Sequence, residues 1–286
     1  MMKLDCIAAQ PLIFDSYLEP LNTININSIG TLNVLDILKK TKSIKSIICI
    51  TSDKCYSNNY STTGFKETDH LGGADPYSAS KAMAELALRS YFLSFLKKLS
   101  PSVRMGIGRA GNVIGGGDWS DGRLIPDCVR AWRKGVSVEI RNPESTRPWQ
   151  FVLEPLAGYL RLGQCLAHSA DINGEAYNFG PDLAQDPPVR VCDLLNEFGQ
   201  HWQDAEWSVS AISPAHEAML LSLDSSKARR DLQWAPTLTV SEMVDFTAEW
   251  YLASGHQTDK KLELLSLEHI ERFAEKARNK QQVWAE

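Results

Sequence analysis

The chain has 286 residues, 43% hydrophobic and 23% charged, with a formal net charge of −5; it can build a sizeable core in one large or two modest domains and has no electrostatic reason to bind nucleic acid or an anionic membrane. No apolar run approaches the roughly 20 residues of a membrane span, and "MMKLDCIAAQP" lacks the regions of a signal peptide. The six cysteines are scattered, without CxxC or metal-ligand spacing to histidine, so a cytoplasmic protein with reduced thiols, no metal, no nucleic acid and no membrane is predicted. In chain order, "KLDCIAA" (3–9) predicts a short buried strand. "NTININSIGTLNVLDILKK" (22–40) places Ile29, Leu32, Val34, Leu35 and Leu38 at helical spacing. The isoleucine-rich run "SIKSIICITS" (43–52) predicts a strand buried on both faces of a parallel sheet. A helix is expected from about Tyr77 to Leu96, then a strand over "RMGIGRAGNVIG" (104–115) ending in a glycine turn. This alternation signals a doubly wound α/β domain.

After Gly117 the pattern changes. "RLIPDCVRAWRKG" predicts a helix, "VSVEI" a short strand, "RPWQFVLEPLAGYLRLGQCLAH" a connecting strand and helix, and "EAYNFGP" a further strand. Helices are expected in "DLLNEFGQHW", "DSSKARRDLQW", "VSEMVDFTAEWYLAS" and the charged tail from Leu267. The reading is a smaller, mainly helical substrate domain that exchanges a strand with the first. Residues 1–122, joined by about 148–180, form the α/β domain; 123–147 and 181–286 form the other.

In "DPYSASKAMAE" (75–85), Tyr77 and Lys81 stand four apart, on one face of a helix. An ammonium under a phenol lowers its pKa from about 10, so the tyrosine can serve as a base. The spacing alone is common. Small neighbours (Ser78, Ala79, Ser80, Ala82) and the helix start at Asp75-Pro76 give it context. Upstream, "TSDKCY" (51–56) ends the buried strand, where ligands of open α/β sheets lie, and brings Ser52, Asp53 and Lys54 there.

These residues resemble the extended short-chain dehydrogenases/reductases that modify nucleotide sugars, and within them the branch that dehydrates CDP-glucose. The likeness is carried by "AAQPL" (8–12), "DSYLEPL" (15–21), "TSDKCY", "PYSASKA" (76–82), "RAGNVIGGGDW" (109–119), "RLIPD" (123–127), "RNP" (141–143), "RPWQ-VLEPL" (147–156), "NFGP" (178–181) and "HEA" (216–218). The pairing of "GNVIGGGDW" with "RPWQ" and "VLEPL" is its most specific part. The resemblance implies a Rossmann-like doubly wound parallel sheet, NAD as cofactor and conversion of CDP-D-glucose to its 4-keto-6-deoxy form. Tyr77, helped by Lys81 and Ser52, would take the proton of the sugar 4-hydroxyl as C4 is oxidised; Asp53 would protonate the departing 6-hydroxyl. Lys54 stands where the dTDP-sugar branch has a glutamate, as C5 base or as a group that positions the sugar. Ala8, Ala9, Gln10, Asn27, Thr51, Tyr77, Lys81, Ala110 and Val113 would line the dinucleotide. Asn112, Arg123, Leu124, Ile125, Arg141, Arg147, His216 and Glu217 would contact the nucleotide sugar, Arg147 at the pyrophosphate. Phe151 replaces a histidine common in this branch. Family members pair through helices that would include 77–96, implying a homodimer.

The sequence departs from the family pattern in its N-terminal part as well. No G-x-x-G-x-x-G turn occurs before the Tyr-Lys helix, although such a turn normally cradles the pyrophosphate. The likeness begins at the strand that normally comes fourth, which would leave "KLDCIAA" as an apolar edge. Two expectations follow: a chain truncated at its N-terminus and impaired, or a chain whose missing half is supplied by another polypeptide. The rival activities are a nucleotide-sugar 4-epimerase, which has no need of an acid beside the serine, and a non-catalytic nucleotide-sugar-binding or oligomerisation remnant.

Overall fold

A computed structural model describes residues 2–6, 9–38, 40–41, 43–57, 63–99, 103–185, 187–210 and 220–286. Strand β1 (Met2–Cys6) precedes helices α1 (Ile13–Leu18) and α2 (Pro20–Ile24), a π turn (Asn25–Ile29) and α3 (Gly30–Leu38). Next come β2 (Ile44–Ile50), a 3-10 turn (Asp53–Cys55), α4 (Pro76–Tyr91), a π turn (Phe92–Leu96), α5 (Lys97–Leu99), β3 (Arg104–Ala110) and β4 (Val113–Ile114). The rest comprises α6 (Leu124–Trp132), β5 (Val138–Ile140), β6 (Thr146–Arg147), β7 (Gln150–Phe151), α7 (Leu153–His168), β8 (Ala176–Phe179), β9 (Val189–Arg190), α8 (Val191–Gly199), β10 (Trp207–Val209), α9 (Ser226–Leu232), α10 (Val240–Ala253) and α11 (Asp259–Asn279).

The central sheet has four parallel strands in the order β1-β2-β3-β8. Because strand side chains alternate between faces, β2 feeds two cores. Ile47 and Cys49 pack with Leu35, Leu88, Phe92 and Met105 beneath α3 and α4. Ile48, with Ile50 packed against it, joins Tyr159, Leu162, Phe179 and Trp234 beneath α7 and α9. Both faces are therefore covered by helices, the condition that permits a continuous apolar strand. A third core gathers α6, α8, α10 and α11 around Trp132, Phe198, Phe246 and Phe273.

Two elements differ from the sequence expectation. Helix begins at Ile13, well before residue 22, and restarts at Pro20, which occupies the first turn of α2. Proline has no N–H for the preceding turn, so it starts α2 and does not extend α1. The strand expected over 104–115 divides at Gly111-Asn112, where Asn112 takes φ +35. Beyond that bend β4 leaves the main sheet and pairs with β7.

The first turn of α7 carries a buried acid that sequence inspection does not single out. Glu154 accepts the backbone N–H groups of Thr237 (2.9 Å) and Leu238 (2.7 Å), tying the loop before α10 to α7. Burial outweighs those donors and pushes its carboxyl up from 4.5 to about 7. The folded state therefore holds this proton more tightly than the unfolded chain. The Glu154 contribution to stability is complete below about pH 4.5 and is lost as pH rises to about 7. Urea titrations across that window should show Glu154→Gln unfolding with a shallower pH dependence than the parent; identical slopes would contradict this.

Candidate active site

Three chain segments converge at the carboxyl ends of β2 and β3. The first is the turn after β2. Ser52 caps it, its Oγ accepting the Lys54 N–H at 3.2 Å and donating to Asp53 Oδ1 at 2.9 Å. Asp53 is 2% exposed, and its Oδ2 has no hydrogen-bond partner, though the Lys54 ammonium lies 3.7 Å away.

The second segment is α4. Asp75 caps it by accepting the Ser78 N–H at 2.9 Å, and Pro76 opens its first turn. Such a cap is worth about 1 kcal/mol and fixes where the helix begins. Tyr77 and Lys81 both face inward and are buried, with the Lys81 ammonium 5.7 Å from the Tyr77 ring centroid. The expected lowering of the phenol by that ammonium is not what the fold produces. Burial pushes Tyr77 up from 10 to about 12, while hydrogen bonding to Ser52 and the charge of Arg123 pull the other way. Desolvation wins because the ring is enclosed, which spacing along the sequence cannot reveal.

The third segment is the bend after β3, pressed against Asp53. A Cβ on Gly111 would lie 2.2 Å from Asp53 Oδ2 and 2.9 Å from Pro148 Cγ. The "RPWQ" stretch is thereby brought beside the acid, and Gln150 secures it by donating to Gly111 O (3.1 Å) and Phe179 O (2.9 Å). Gly111→Ala should displace Asp53. The expected result is a loss of turnover on the order of 10²-fold and about 1–3 kcal/mol of stability; parent turnover in this variant would show that Asp53 need not sit where it does.

The remaining predicted residues distribute as follows. Asn27 is buried and donates to Ser80 Oγ at 2.9 Å while its Oδ1 accepts the Gln10 N–H at 2.8 Å. It therefore ties the segment containing Ala9 and Gln10 to α4. Thr51 donates to Glu85 at 2.5 Å. Ala110 and Val113 flank the bend; Arg123 immediately precedes α6, without a side-chain cap hydrogen bond, and lies 3.8 Å from Asp118. Leu124 is half-buried, whereas Ile125 is 2% exposed and packs into the third core. Arg147 is buried and Arg141 exposed. Phe151 packs on Phe246, 5.3 Å between centroids. Ala8, His216 and Glu217 lie outside the described residues. Sequence reading missed Glu85, Arg109, Tyr56 and Asn178, which join below the site; a charged residue inside the apolar run of β3 was the available signal.

NAD's place in this site can be tested on the residues present. Gln10 Oε1 is buried without a partner, and Ala9, Ser80 and Ala82 are small. These fit the reactive end of a dinucleotide. No G-x-x-G-x-x-G turn for its pyrophosphate stands before the Tyr77–Lys81 helix in this sequence.

A family model described as GDP-mannose 4,6 dehydratase matches residues 6–247. The chain is 40% identical over 253 residues to CDP-glucose 4,6-dehydratase of Salmonella typhimurium, covering 86% of this chain and 69% of that protein. It is 26% identical to dTDP-glucose 4,6-dehydratase of Shigella flexneri, covering 69% of this chain and 53% of that protein. Among solved structures, a dTDP-glucose 4,6-dehydratase variant from Streptomyces venezuelae with NAD bound superposes with TM-score 0.75 at 20% identity, covering 87% of this chain and 73% of that one. UDP-glucuronic acid 4-epimerase from Bacillus cereus, with UDP-glucuronic acid and NAD, gives 0.73 at 18% identity, covering 87% and 74%. These superpositions establish a shared Rossmann-like α/β fold. The matched family model and the 40% identity place the chain in the GDP-mannose 4,6 dehydratase family of extended short-chain dehydrogenases/reductases.

Proposed function

We propose that the chain carries the reaction centre of a CDP-glucose 4,6-dehydratase, a hydro-lyase that converts CDP-D-glucose to CDP-4-keto-6-deoxy-D-glucose. The observation that carries the reading is Asp53: a buried carboxyl group beside the Ser52–Tyr77 pair, with one oxygen lacking any hydrogen-bond partner. An epimerase needs the tyrosine and the serine but has no hydroxyl to expel. The 40% identity to the Salmonella typhimurium enzyme supports the cytidine carrier.

NAD, when bound, supplies reversible hydride acceptance. Asn27, Gln10, Tyr77 and Lys81 would hold its reactive end, with Ala9, Thr51, Ala110 and Val113 around it. Tyr77 takes the proton of the 4-hydroxyl through its hydrogen bond with Ser52, and Lys81 stabilises the charge that develops on the phenol. A ketone at C4 acidifies the C5 proton. Asp53 in its protonated form would protonate the departing 6-hydroxyl, which leaves as water, while Lys54 would take the C5 proton or position the sugar for its removal; C6 would then regain the hydride removed from C4, and C5 a proton. Burial of Asp53 and Tyr77 keeps bulk water from the proton-transfer positions. Asn112, Arg123 and Leu124 would face the nucleotide sugar, with Arg147 at its pyrophosphate. The α/β unit (1–122 with about 148–180) would provide the chemistry, and 123–147 with 181–286 the carrier site.

Incubation with CDP-glucose and NAD tests the reading. A 4-keto-6-deoxy product, detected by its absorbance in alkali and a mass 18 Da below substrate, is expected; CDP-galactose would establish the epimerase instead. A homodimer is part of the proposal. It is supported by the outward apolar face of Met83, Leu86, Leu93 and Phe95 along α4 and its π turn. Light scattering should give twice the chain mass and, for Leu86→Arg, the single mass; a monomeric parent would rule the pairing out.

A further inference from the structure

Two buried charges lie beneath the site, and the proposed chemistry uses neither directly. Glu85 follows Lys81 by one helical turn and Tyr77 by two, so all three share one face of α4. Arg109, on β3, holds Glu85 with both arms of its guanidinium: Nε donates to Oε1 at 2.8 Å and Nη2 to Oε2 at 2.9 Å. Glu85 Oε1 also accepts from Thr51 Oγ1, and the Thr51 N–H donates to Gly108 O at 2.9 Å. On its other side Arg109 Nη1 donates to the Tyr56 hydroxyl at 2.7 Å, which donates to Asn178 Oδ1 at 2.7 Å. Tyr56 closes the 3-10 turn that bears Asp53. One ion pair thus grips α4, both ends of the Ser52–Asp53 turn, β3 and β8.

Desolvation offsets most of the attraction in a buried ion pair, so stability alone is a weak reason to keep one; setting register is its best-attested use. A planar fork satisfied at both oxygens also fixes orientation, which a point charge does not. We infer that Glu85 and Arg109 are positioning residues: they fix the rotation and axial register of α4 against the ends of β2 and β3, and so the reach from Tyr77 to Ser52 and Asp53. The reaction this register serves rests on the dehydratase reading; the register itself does not.

The test labels tyrosine with ¹³C at Cζ and assigns the Tyr77 resonance by its loss in Tyr77→Phe. Glu85→Gln keeps length and removes charge; Arg109→Lys keeps charge and removes the fork. Circular dichroism and the urea midpoint report the fold. The expected result in both variants is a shifted Tyr77 resonance beside an unmoved Tyr251. In the CDP-glucose assay kcat should fall on the order of 10- to 100-fold with KM within about threefold of the parent. Should both variants unfold, Thr51→Val removes one hydrogen bond and no charge, and the same resonance is read. An unmoved Tyr77 resonance in any folded variant overturns the inference, as does a kcat that falls only in proportion to the unfolded fraction. A parent inactive on CDP-glucose whose Tyr77 resonance still responds to these variants counts against the dehydratase reading and for the register.

Discussion

Tyr77→Phe should lower turnover of CDP-glucose by about 10²- to 10⁴-fold, the range that a positioned general base contributes. The ring is buried, and the substitution removes only the hydroxyl. The fold should persist, and the urea midpoint should stay close to that of the parent. Nucleotide-sugar affinity should also persist, since the proposed carrier contacts come from other side chains, Arg123, Leu124 and Arg147. Calorimetry and turnover together therefore separate loss of chemistry from loss of binding. The C4–H bond breaks in the same oxidation, so deuterium at C4 should slow the step and produce a primary isotope effect when chemistry limits turnover. A Phe variant as fast as the parent would remove Tyr77 from the mechanism.

Asp53→Asn should have an effect of similar size but at a different step. Asparagine keeps the shape and the hydrogen bond from Ser52, which lies 2.9 Å from Oδ1, but it cannot deliver a proton to the leaving hydroxyl. Oxidation at C4 should continue while expulsion of water slows by about 10²- to 10⁴-fold. Mass spectrometry should find a 4-keto sugar that retains its 6-hydroxyl, two mass units below substrate. Normal 4-keto-6-deoxy product at the parent rate would assign the acid to another residue. Asn at this position also removes the negative charge 3.7 Å from the Lys54 ammonium, so Asp53→Glu is a useful companion. It keeps the charge but lengthens the side chain into Gly111, which already stands closer to Asp53 than any Cβ could.

Much of this architecture was legible in the sequence. The isoleucine run at 44–50, the Asp75-Pro76 helix start and the small residues around Tyr77 each encode a local preference that the fold honours. The convergence of "TSDKCY", "PYSASKA" and "RPWQ" was legible by resemblance. What was not legible depends on contacts between distant segments. The upward shift of Tyr77 follows from enclosure. The break of the expected strand at Gly111-Asn112 follows from the close approach of Asp53 and Pro148 to the bend. Glu85 could have been found by extending the Tyr77–Lys81 ladder one further turn, but its partner Arg109 comes from a strand 24 residues later. Glu154 looks like an ordinary first-turn acid until the loop at 237–238 is seen to fold over it.

The central claim concerns a hydrogen that leaves C4 and reappears at C6 of the same sugar. It is tested most directly by incubating CDP-[4-²H]glucose with NAD and the protein in ordinary water and locating the deuterium by NMR. The account predicts deuterium in the C6 methyl group of a 4-keto product. Deuterium that remains at C4, in recovered glucose or in a galactose epimer, would contradict it.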